Sequence, residues 1–423
     1  MALAVACTRS VVRGPAVDVP TPAPGAPLPR ALAGAPLRVE LSASVQRVQL
    51  SGTGAWRMAD AGGSPVATAG EGETWSVEQV TGGVRAQRSD GATTPVVRGA
   101  LRVEPLDSGA LLTVGGHRYR GTLTIVAGDD GLMVINRLPV EEYLRGVVPM
   151  EIGTRADSEQ AAVEAQAIVA RTFALSRLTD ASHPADVRAS VLDQVYGGVD
   201  AETPASDRAV ARTAGLVVLY HGRLASTPYH STCGGRTAAA EEVWRSEGEP
   251  YLRPVSDRIP GTDRYYCDPS PRFAWTAELD RATLDADVAR YLARYAAVPP
   301  AGTGRVRAIV VHDTTPSGRV RSLDVTTTTG TYALRGNDIR FVLRPAGGAL
   351  LNSTYFSVHD ARDADGALAR LRITGRGYGH GVGMCQWGAI GRARAGQDAR
   401  TIIQTYFPGT SIGPVPGAPE PGD

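Results

Sequence analysis

Three short stretches of this 423-residue chain hold residue types that could do chemistry. In the first, Glu151 ends the apolar run Val147-Val148-Pro149-Met150 and precedes Ile152-Gly153. Apolar flanks strip water from a carboxyl, disfavour its charged form and raise its pKa, which is the condition for a glutamate that donates a proton at neutral pH. The competing reading is structural, with Glu151 capping the next helix or pairing with Arg155 or Arg171 near its start. The second stretch is YHSTCGGRT (229–237), with Cys267 downstream. A His and a Cys three apart in a Gly-containing turn can face one cation, and zinc accepts imidazole and thiolate together. A Cys233–Cys267 disulfide is the alternative, permitted in an oxidising compartment. The third is GRGYGHGVGMCQWGA (375–389). If extended, it leaves one face bare at its alternate glycines and projects Arg376, Tyr378, His380 and Val382 from the other. It reads equally as a binding groove or as a tight crossing in the core, with His380 satisfied by backbone. Its spacing fits neither a phosphate loop nor a dinucleotide fingerprint.

Elements of two kinds must position these residues. From about Leu37 to Val126, apolar and polar residues alternate in short runs between Gly-rich turns, which predicts a small antiparallel β unit. A hairpin follows over 122–136, with Asp130-Gly131 as turn chemistry. Over 157–178, Asp157 and Gln160 in a capping-box arrangement precede an Ala-rich apolar run, which predicts a buried central helix. Strands are expected at 215–220 and 305–329, and helices at 280–296, 384–395 and 398–406. The fold class is therefore α+β without regular βαβ alternation: a mixed domain of antiparallel sheets around a buried helix, preceded by a β-rich region.

Forty-four Lys and Arg balance 43 Asp and Glu, with no long run of one sign. That argues against a nucleic-acid partner held through phosphates. No stretch reaches the roughly 20 apolar residues a membrane helix requires. Residues 1–7, ending at Cys7, are similar to the end of a lipoprotein signal; either Cys7 carries a lipid anchor or it is incidental to the tail. Residues 14–36, rich in Pro, Ala and Gly, read as a tether. The expected organisation is a tether over 1–36, a β-rich region over 37–115, a main domain over 116–412 and a tail over 413–423.

Taken together, NRLPVEEYLRGVVPMEIG (136–153), EAQAIVARTFAL (164–175), YHSTCGGRT, PYLRPV (250–255), LNSTYFSV (351–358), GRGYGHGVGMCQWGA and TYFPGT (405–410) resemble the SpoIID/LytB family, from about Tyr119 to Gly409. The resemblance implies an extracytoplasmic lytic transglycosylase that cuts peptidoglycan between N-acetylmuramic acid and N-acetylglucosamine. Glu151 matches the family's catalytic glutamate, and the product is a 1,6-anhydro sugar. Glu142, a conceivable second carboxylate, matches a recurring Glu-Tyr pair and is structural on this reading. Zinc is implied at His230, Cys233, Cys267 and Cys385, although relatives have Ser where this chain has Cys385. Such an ion shapes the groove and does not cut, because acid–base cleavage needs no Lewis acid. Tyr143, Arg171, Tyr229, Arg376, His380, Gln386 and Trp387 become the expected glycan-lining set. The implied partners are glycan strands and a cell-wall amidase. A LytB-like activator of an N-acetylmuramoyl-L-alanine amidase, without cleavage of its own, is the alternative function. A purely structural wall-binding module leaves the three polar stretches unexplained.

Overall fold

The computed structural model describes residues 36–178, 183–191, 193–345, 347–364 and 368–416. Cys7 and the expected tether up to residue 35 lie outside the described residues. Eight helices stand among the described residues: α1 Val140–Ile152, α2 Gln160–Ser176, α3 Pro204–Arg212, α4 Ala240–Val243, α5 Arg281–Tyr291, α6 Asp338–Val342, α7 Gln386–Arg394 and α8 Ala399–Tyr406. With many antiparallel strands in several sheets, the fold is α+β.

The chain forms two compact units, one of the described residues up to Thr227 joined by 393–404 and 409–416, the other of 228–392 and 405–408. In the first, a seven-stranded and a five-stranded sheet are built from residues of 37–138, joined by the short strand Val187–Arg188. Strand alternation supplies the reason: Arg47–Gly52 turns Val48 and Leu50 inward and Arg47 and Gln49 outward. Trp56, Met58, Val77, Leu101, Ile125 and Val134 fill the core. The hairpin Thr122–Gly128/Gly131–Leu138 turns on Asp129-Asp130, one residue earlier than expected, because Gly131 already pairs with Gly128 and its φ of 136° suits only glycine.

α2 is the buried helix of this unit, with Val163, Ala167, Ala170 and Ala174 all inside. Its start differs from the expectation. Residues Asp157–Glu159 make a 3-10 turn, and the carboxylate of Glu159 accepts the Ala156 N–H at 3.2 Å. Asp157 points outward to Arg208. α1 forms although Pro139, Gly146 and Pro149 all disfavour helix. The structure places Pro139 at the N-cap, where its missing N–H costs nothing, and Pro149 in the last turn. Gly413 and Pro414, expected in a tail, complete the strand Ser411–Pro414 that pairs with Leu216–Leu219.

The second unit has two three-stranded antiparallel sheets, one from Ala274–Asp280, Phe356–Arg362 and Leu368–Arg376, the other from Val306–Thr314, Val320–Thr327 and Thr331–Arg335. Leu279, Ile309, Val325, Leu334, Leu371 and Ile373 pack with Leu284 and Val288 of α5. A two-residue parallel ladder, Tyr229–Met384 and His230–Cys385, brings the second and third polar stretches side by side.

Candidate functional site

Glu151 lies in the last turn of α1, half-buried, and its Oε1 accepts the backbone N–H of Val195 at 2.7 Å. The loop that supplies this N–H is fixed on every side. The Tyr143 hydroxyl donates to Gln194 Oε1 at 3.3 Å, and Gln194 Nε2 donates to the Ala170 carbonyl of α2. The Tyr196 ring packs 4.9 Å from Tyr143 and 5.8 Å from Tyr119. The Gly197 N–H reaches the Gly146 carbonyl. Gly146 has to be glycine, because a Cβ there would come within 2.6 Å of the Tyr196 ring and 2.7 Å of the Gly198 carbonyl. Residues 194–197 were not singled out from the sequence; the available signal was Gln194-Val195-Tyr196 directly before Gly197-Gly198.

Two residues expected to line a glycan sit in the core of this unit. Tyr143 is fully buried, and burial pushes its phenol well above the usual range, followed by the nearby Glu151 charge. Arg171 is also fully buried, with its guanidinium forked onto Glu141 by two 2.7 Å bonds and a third bond to the Leu216 carbonyl. Neither offers a surface to a sugar, so both correct the expectation: an arginine on an apolar helix is kept inside by a partner thirty residues upstream. Arg155 lies 4.0 Å from Glu159.

The glycine-rich stretch is not an extended strand beyond Arg376. Gly377, Gly379, Gly381 and Gly383 all have positive φ, between 70° and 112°. A Cβ on Gly383 would meet the Pro228 carbonyl at 2.1 Å, and one on Gly377 the Thr232 carbonyl at 2.7 Å. The segment is therefore a tight crossing against 228–233, the second of the two readings. The Val382 backbone grips two histidines: His230 Nδ1–H donates to its carbonyl and its N–H donates to His380 Nδ1, each at 3.1 Å. His380 Nε2–H donates to the Tyr229 carbonyl at 2.8 Å. Burial lowers both imidazoles, His230 to about 3 and His380 well below the usual value, so both are neutral. Trp244, which sequence reasoning missed, packs 5.1 Å from the His380 ring. Tyr229, His380 and Trp387 are half-buried, Gln386 is buried and Arg376 is exposed.

Cys233, Cys267 and Cys385 are buried free thiols, so the Cys233–Cys267 disulfide is not formed. Their sulfurs and one Asp257 oxygen lie within 4.8 Å of one another, a group that could hold a metal ion. His230 is outside it: it is not among the residues whose ligand atoms lie within 4.8 Å of one another, and its Nδ1 is bonded to Val382. Asp257 had no sequence signal, being a lone acid in a loop. Burial pushes its carboxyl well up, and burial likewise raises Cys233. At Cys385 burial pushes the thiol up, but bonds from the Cys233 and Cys267 thiols and the Cys233 N–H together bring it down.

The family model for stage II sporulation protein (SpoIID) matches residues 128–220, and one for a domain of unknown function (DUF8618) matches 262–383. The chain is 31% identical over 308 residues to an uncharacterized protein of Brachyspira hyodysenteriae, covering 71% of this chain and 73% of that one. It is 29% identical over 294 residues to stage II sporulation protein D of Bacillus subtilis, covering 66% and 75%. It is also 28% identical over 356 residues to the amidase enhancer of Bacillus subtilis, covering 74% of this chain but only 47% of that protein, about half its length.

Proposed function

Because the chain belongs to the SpoIID/LytB family, we propose that it acts on the cell wall outside the cytoplasm as a peptidoglycan lytic transglycosylase, with Glu151 as its general acid and base. The observation that carries this reading is the carboxyl of Glu151, half-buried within the matched segment and fixed at Oε1 by the Val195 N–H. With Oε1 engaged by the Val195 N–H, Oε2 is the oxygen that carries the transferable proton in this reading. Delivered to the glycosidic oxygen, it lets the bond to the muramyl C1 break. The muramyl C6 hydroxyl then attacks C1 and returns its proton to Glu151, closing the 1,6-anhydro ring. No water nucleophile enters, and one carboxyl serves both steps because the attacking group is already part of the substrate. Two-carboxylate glycosidases need a second acid for that role.

The similarity to an amidase enhancer over 74% of this chain favours a second reading, a wall-bound activator of a cell-wall amidase. One experiment separates the two. Purified peptidoglycan, with and without prior amidase treatment, is digested with the full chain and with Glu151→Gln, and soluble products are identified by mass spectrometry. Anhydro-muramyl products from the parent protein alone support the transglycosylase. No sugar release by either, together with faster amidase action in the presence of both, overturns it in favour of the activator.

A further inference from the structure

We infer that Cys233, Asp257, Cys267 and Cys385 form a four-coordinate zinc site in which Asp257, not His230, is the fourth ligand, and that the bound ion holds the second unit together.

The spacing of the donor atoms fits. With Zn–S near 2.3 Å, the sulfurs of a tetrahedral site stand about 3.8 Å apart. Here Cys233 Sγ is 3.5 Å from Cys267 Sγ and 3.7 Å from Asp257 Oδ2. Three sulfurs and one carboxylate oxygen are the soft-weighted donor set that suits zinc over the hard cations. All four residues are completely buried, so water does not compete for the ion.

The surroundings are those of a metal site and not of a plain core. Asp257 divides its oxygens: Oδ1 accepts from the Tyr406 hydroxyl at 2.7 Å and from Arg392 at 3.1 Å, while Oδ2 is turned toward the thiols. Carboxylate ligands are held in this way by partners behind them. Cys385 Sγ receives two backbone N–H groups, from Cys233 at 3.2 Å and Gly388 at 3.3 Å. Gly388 must be glycine for this packing, since a Cβ would lie 2.0 Å from the Tyr406 hydroxyl and 2.5 Å from Asp257 Oδ2. Arg319 donates to the Cys233 carbonyl from the opposite side and fixes the turn that carries the first ligand.

In the bound state the three cysteines coordinate as thiolates and Asp257 as a carboxylate, and the protons that these four groups still hold are released to solvent. The site then has two negative charges, which the Arg392 guanidinium and the two N–H groups on Cys385 offset. The ligands are spread over 152 residues of sequence, and one ion closes the 233 turn, the 257–267 loop and the start of α7 onto one another. Cleavage through Glu151 does not depend on this inference, and metal content is read without any activity assay.

The test uses the full chain carrying Cys7→Ser, purified without chelator, with metal measured by plasma mass spectrometry and thiols by Ellman titration. About one zinc per chain and three thiols that react only after chelation are expected. His230→Gln should keep its zinc, while Asp257→Asn should bind at least about tenfold more weakly. Cobalt exchange should give a thiolate-to-cobalt absorption in the parent protein. Zinc below about a tenth of an equivalent with reactive thiols, or a Cys233–Cys267 disulfide in the intact mass, overturns the site. Loss of zinc in His230→Gln with retention in Asp257→Asn overturns the assignment of its fourth ligand.

Discussion

The Tyr196 hydroxyl donates to Asn136 Oδ1 over 3.1 Å in the interior, and this bond ties the loop that holds Glu151 to the long hairpin. Asn136 is wholly committed, since its Nδ2 donates to the carbonyls of Arg120 at 2.8 Å and Thr122 at 3.1 Å. Tyr196→Phe removes one hydroxyl and leaves a buried amide oxygen without its donor, at a cost of about 1–3 kcal/mol. The ring packing against Tyr143 survives. Urea unfolding should register that loss. Under the transglycosylase reading, turnover should fall several-fold with little change in KM, because the loop positions Glu151 and not the sugar. A KM change with constant turnover would assign this loop to substrate binding.

Glu151→Gln keeps an acceptor for the Val195 N–H and removes the transferable proton. General acid–base groups contribute about 10²–10⁴-fold. We expect release of anhydro-muramyl products to drop by that factor, with an unfolding midpoint unchanged from the parent. Unaltered product release would place the acid elsewhere.

Glu141→Ala strips the partner from Arg171, which has no exposed side-chain surface. Uncompensated buried charge of this kind costs about 3–5 kcal/mol. The low end applies here, because the Glu141 carboxylate is about one-third exposed and Arg171 keeps the Leu216 carbonyl at 3.1 Å. Arg171→Lys should recover little, since an ammonium cannot fork onto both carboxylate oxygens. Chemical denaturation of the two variants measures this directly.

These residues also show which parts of the molecule were legible from sequence. Period-two alternation reads correctly where one face of a strand is buried, as in Arg47–Gly52, and the Ala-rich run of α2 reads as a buried helix for the same kind of reason. Local rules failed where tertiary contacts override them. α1 forms despite Pro139, Gly146 and Pro149 because Gly146 admits Tyr196 and each proline falls at a helix end. Arg171 and Tyr143 looked like ligand-binding groups because polarity is visible in sequence and burial partners are not. Asp257 is the sharper case: nothing near it in the chain marks it, and only folding places it among cysteines 24 residues before and 10 and 128 residues after it.

Two glycines with similar backbone conformations separate strain from collision. Gly383 and Gly396 have φ of 70° and 81°, and both should lose about 1–2 kcal/mol on becoming alanine from the left-handed conformation alone. Around Gly396 nothing lies within 4 Å, whereas a Cβ on Gly383 meets the Pro228 carbonyl at 2.1 Å. Gly383→Ala therefore adds an overpacking cost of about 1–3 kcal/mol and should be about 1.5 to 4 times as destabilising. Equal losses in thermal unfolding would mean that the 381–384 segment can move away from Pro228.

Acid sensitivity follows from His230. Its folded pKa is about 3, drawn down by burial and then by the Arg319 charge, against about 6.5 in an unfolded chain. Above pH 6.5 both states are neutral and the residue gives stability no pH dependence. Between 6.5 and 3 the unfolded chain takes up a proton that the folded one refuses, so stability falls with pH by up to about 1.4 kcal/mol per unit. His230→Asn removes that uptake while an amide can still donate toward Val382. The difference between parent and variant should be constant above pH 7 and should shrink or reverse by pH 5, since every other titrating group is common to both. Parallel curves of stability against pH, measured by urea denaturation from pH 7.5 to 5, would mean that His230 is protonated inside the folded protein.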